Sequence, residues 1–170
     1  MLSESARMAS AQEARYRVDY PNSIPRTIKV VALDEPSRTL VDEVSRLSWN
    51  RASFFTSMSF EGATPRAEHS SIKAWLRDIA GHTSDLIAEI DGADFLVMVA
   101  NAGEDAQGAS IIGEACAARN VTTIGLIVQS PGTGDEDLSR TLGHMRPFAK
   151  MLVIATGREY IEVMLTALRA

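Results

Sequence analysis

The chain has 170 residues, 45% hydrophobic and 23% charged, which suffices for one domain with a real core and argues against general disorder. A net charge of −5 without any Lys/Arg-rich run leaves no footprint for a nucleic-acid backbone or an anionic membrane. One cysteine, Cys116, excludes an intramolecular disulfide and fits a reducing compartment. No apolar stretch approaches the roughly 20 residues that span a bilayer, and Met1 to Gln12 lacks the apolar core of a secretory signal. The expected location is cytoplasmic.

Residues 1–26 read as a flexible or extended arm, because Pro21 and Pro25 hinder regular structure. Tyr16, Val18 and Tyr20 alternate, so the arm suits a short edge strand or packing on a neighbouring subunit. The domain proper begins at Thr27 and runs to residue 170. Ile28 to Leu33 forms a buried strand, and Leu40, Val41, Val44 and Leu47 mark a helix from about Ser37 to Ser48. Ala52 to Phe60 is a second strand. A Gly/Pro/polar loop over 61–70 follows, then a helical region from Ser71 to Ile90, with Thr83 or Ser84 capping its second part.

Gly92 ends that region, and Asp94 to Ala100 is apolar almost throughout, as for a strand covered on both faces. A helix over 109–119, a strand over 122–128, a helix opening at Asp135 or Glu136, a strand over 151–155 and a helix over 159–168 complete the pattern. Alternating strands and helices specify an α/β fold with a three-layer, Rossmann-like parallel sheet. Its five strands are expected in the order 2-1-3-4-5. The crevice then opens between the first and third strands. Ligand contacts are sought in its two loops: Asp34 and Ser37 in one, and Asn101, Ala102, Gly103, Glu104, Asp105, Gln107 and Gly108 in the other, with Ser130 beside them.

The stretch from Asp85 to Ser130 is the most informative. Gly92-Ala93-Asp94 opens an apolar strand, Ala102 to Ala109 forms a glycine-containing loop before a helix, and Val121 to Val128 follows as a strand. This segment resembles the nucleotide-binding domain of the FtsZ/tubulin family, closely over 85–130 and loosely over 27–157. The resemblance implies a nucleotide in the crevice and assembly as a homo-oligomer. The phosphate loops depart from the family's pattern, however. The first reads Asp34-Glu35-Pro36-Ser37 where glycines are expected, and in the second only Gly103 and Gly108 remain, beside Glu104 and Asp105.

A carboxylate about 5 Å from a phosphate repels it by roughly 3 kcal/mol at an effective dielectric near 20. A helix N-terminus returns at most about 2 kcal/mol. Tight GTP binding and GTPase activity are therefore not expected without a divalent cation, for which Glu104 and Asp105 would be the ligands. Asp34, Glu35, Asp135, Glu136 and Asp137 share the same rim, where acids also cap helices and pair with their dipoles. Two functions remain open: a non-catalytic binding or assembly module with weak or lost GTP binding, and a small-molecule or nucleotide-binding enzyme using the crevice.

Other signals are weaker. A receiver-type phosphoacceptor domain shares the topology, but Asn101 stands where its acceptor aspartate is needed, and Gly157-Arg158 follow the last strand in place of its lysine. His69, His82 and His144 have no metal-ligand spacing with one another or with Cys116. Cys116, inside a helix, reads as a small packing residue. Trp49 and Trp75 read as core or interface anchors.

Overall fold

A computed structural model describes residues 24–57, 75–78 and 83–170. Most of the expected N-terminal arm, residues 58–60 of the second strand and the 61–70 loop lie outside the described residues. The elements are β1 (Ile28–Ala32), α1 (Glu35–Ser45), β2 (Ala52–Ser57), β3 (Trp75–Asp78), β4 (Thr83–Asp85), α2 (Leu86–Ile90), β5 (Phe95–Asn101), α3 (Gly108–Ala118), β6 (Thr122–Val128), α4 (Asp135–Met145), β7 (Met151–Ala155) and α5 (Glu159–Leu168).

The described strands form one sheet in the order β4-β3-β2-β1-β5-β6-β7. Five of them, β2-β1-β5-β6-β7, are parallel and follow the expected 2-1-3-4-5 order. The fold is an α/β, Rossmann-like sheet covered by helices. One expectation needs correction. Within the expected 71–90 helical region, residues 75–78 and 83–85 are strands, β3 adding antiparallel to β2 and β4 to β3, and among the described residues of this region only Leu86–Ile90 is helical. Thr83 and Ser84 pair in β4, and the cap of α2 is Asp85, which accepts from the Ile87 amide at 3.1 Å. The added hairpin satisfies backbone groups that β2 would otherwise present as an open edge.

Strand alternation divides the core into two layers. Leu96, Met98 and Ala100 of β5 point to one face and pack with Leu86 and Ile90 of α2, Ala109, Ile112 and Cys116 of α3 and Met145 of α4. Val97 and Val99 point to the other face, where Val41 and Val44 of α1 meet Ile161 and Leu165 of α5. Burying both faces explains why β5 reads as a continuous apolar run. Trp49 is a core anchor as expected: its Nε1 donates to the Val44 carbonyl at 2.9 Å and its ring tilts against Phe54. Lys29, the one charge in β1, stays near the surface, where its Nζ pairs with Glu89 of α2 at 2.9 Å and lies over the Phe55 ring. No helix among the described residues is long and apolar enough to cross a membrane.

Candidate functional site

The switch point of the strand order falls where the sequence places it, at the carboxyl ends of the neighbouring strands β1 and β5, the place where the crevice is expected. β1 hands over to α1 within two residues, so the loop is little more than the helix cap. Asp34 is that cap, in extended backbone, and its Oδ1 accepts from the Ser37 amide at 2.7 Å. The Ser37 hydroxyl in turn accepts from the Asp34 amide at 3.2 Å and donates to the Asp34 carbonyl at 3.0 Å. Ser37 is fully buried in this exchange. Pro36 falls in the first turn, where its missing N–H leaves no gap.

The second oxygen of Asp34 reaches across the crevice. Oδ2 accepts from the backbone amide of Asn101, the last residue of β5, at 2.8 Å. The same carboxylate thus ties the start of α1 to the end of β5. Two backbone amides converge on it, which is the arrangement that elsewhere receives a phosphate oxygen.

The β5–α3 loop is closed in the same way. Its amides donate inward: Ala102 to the Val128 carbonyl, Glu104 to the Asn101 carbonyl, Ala109 to the Ala106 carbonyl and Ser110 to the Gln107 carbonyl, all between 2.9 and 3.2 Å. The Gly103 amide donates to the Thr141 hydroxyl of α4 at 3.0 Å, and that buried hydroxyl donates on to the Asp137 carbonyl at 3.3 Å. Gly103 is required for fit. Its φ is +95°, and a Cβ there would lie 3.2 Å from that of Asp137. The Gln107 amide donates to Asp105 Oδ1 at 2.9 Å, an Asx turn ahead of α3.

The structure therefore brings Asp34, Ser37 and Asn101 together, and sets Gly103 against α4. Glu104, Asp105, Gln107 and Ser130 stay exposed around the rim, while Ala102 and Gly108 are half-buried. Of the other rim acids, Glu35 sits 3.4 Å from Arg38 and Asp137 3.2 Å from Arg140, exposed pairs that contribute little. Asp135, Glu136 and Asp137 all occupy the first turn of α4, where the helix dipole favours them. Among the described residues, no three His, Cys, Asp or Glu side chains gather as a metal site. Nothing in a mid-helix threonine signals a partner 38 residues away, so the sequence does not single out Thr141.

A groove of about 440 Å³ opens at the opposite rim, lined by Gly113, Ala117, Val121, Phe148 and Lys150 among others. It lies by the amino end of β6, away from the crevice. Cys116 is buried and free, and burial pushes its thiol from 9.0 up to about 12. Native protein at neutral pH should accordingly resist alkylation, with a rate about a thousandfold below that of the unfolded chain. Equal rates in the two states would contradict this packing.

The topology and the tied loops define a Rossmann-like α/β domain whose crevice is satisfied from within. No protein-family model matches the chain, and no curated protein matches it. Among solved structures it is similar to translation elongation factor SelB from Methanococcus maripaludis, apo form, with a TM-score of 0.47 and 13% identity. The likeness covers 85% of this chain, which spans 36% of the length of that one. Values of that size transfer neither ligand nor activity.

Proposed function

We propose that this chain is a non-catalytic binding or assembly module, built on a nucleotide-type sheet whose phosphate seat is filled by its own Asp34 carboxylate. The observation that carries the reading is the convergence of the Ser37 and Asn101 amides on that one side chain, at 2.7 and 2.8 Å. A nucleotide phosphate would have to displace a carboxylate of its own sign and break both bonds. Each charge-assisted bond is worth about 1.5–3 kcal/mol, and the Coulomb repulsion estimated above adds to that. The neighbouring amides offer no substitute, because most already donate inside the protein. The resemblance to the FtsZ/tubulin nucleotide domain belongs to the same proposal, as a sheet retained after its phosphate contacts were replaced.

Thermal unfolding with GTP, GDP or NAD, with and without Mg²⁺, tests the reading. A ligand at a hundred times its Kd stabilises the fold by about 2.7 kcal/mol, a shift of roughly 5–11 °C for a domain of this size. Unchanged melting with each nucleotide is the expected result. A Mg²⁺-dependent shift with GTP, abolished by replacing Glu104 and Asp105 with alanine, would replace this reading with a metal-bridged nucleotide site.

A further inference from the structure

We draw no further inference here: the strongest candidate, the groove between α3 and the α4–β7 connection that Ala117, Val121 and Phe148 line with Glu114 and Lys150, carries nothing because nothing in the structure shows what covers it.

Discussion

Gly113→Val is expected to destabilise the domain by at least about 3 kcal/mol, lowering the melting temperature by roughly 6–12 °C. Gly113 sits in mid-α3 with its Cα against Phe148 in the α4–β7 connection. A Cβ there would collide with the Cβ of Phe148 and lie 3.2 Å from its Cα. The neighbour cannot retreat, because its backbone is held on both sides. The Phe148 amide donates to Met145 at 3.0 Å, and its carbonyl accepts from the Thr123 hydroxyl at 2.7 Å. Moving Phe148 would drag the start of β7 with it, since the Lys150 amide donates to the Thr123 carbonyl at 3.0 Å.

The helix-propensity gain from losing a glycine, about 1 kcal/mol for alanine, does not offset such a clash. Gly143 in α4 is the control, because nothing lies within 4 Å of a Cβ built there. Gly143→Ala should stabilise by about 0.5–1 kcal/mol. Two glycines inside helices are thus expected to respond with opposite signs. Denaturant titration of Gly113→Val, Gly113→Ala and Gly143→Ala measures both. A Gly113→Ala variant as stable as the parent would show that the α3–α4 approach is looser than described.

Where local pattern and tertiary demand agree, the elements are legible. Strand β6 spans 122–128, β7 spans 151–155 and α5 spans 159–168, as their periodicity requires. The stretch now holding β3 and β4 misleads because its apolar residues Ile72, Trp75, Leu76 and Ile79 recur at helical spacing. The need that decides against a helix, an open edge on β2, belongs to the assembled sheet and is not written locally. The crevice divides in the same way. Asp34 as a helix cap is legible, since an acid three residues before a serine suits a capping box. Its second bond, to an amide 67 residues onward, is not. Gly103 suggested a phosphate loop, yet its left-handed φ and its closeness to Asp137 account for the glycine without any ligand.

Asp34→Ala separates a plain helix cap from a filled anion seat. Losing the cap alone costs about 1 kcal/mol. The Asn101 amide adds a second loss, because Asn101 is only 8% exposed and its N–H would be left without an acceptor. A stranded buried donor costs about 1–3 kcal/mol, so the total expected loss is about 3 kcal/mol. Asp34→Ser keeps a short oxygen for the Ser37 amide but falls short of β5, and should recover only the capping part. The Asp34→Ala variant retains two amides aimed at one vacated point, with the negative charge removed. Phosphate should therefore raise its melting temperature more than it raises that of the parent, the comparison cancelling the general effect of the salt. Parent and variant responding alike, with a loss near 1 kcal/mol, would reduce Asp34 to an ordinary cap and remove the physical basis for a seat closed against nucleotides.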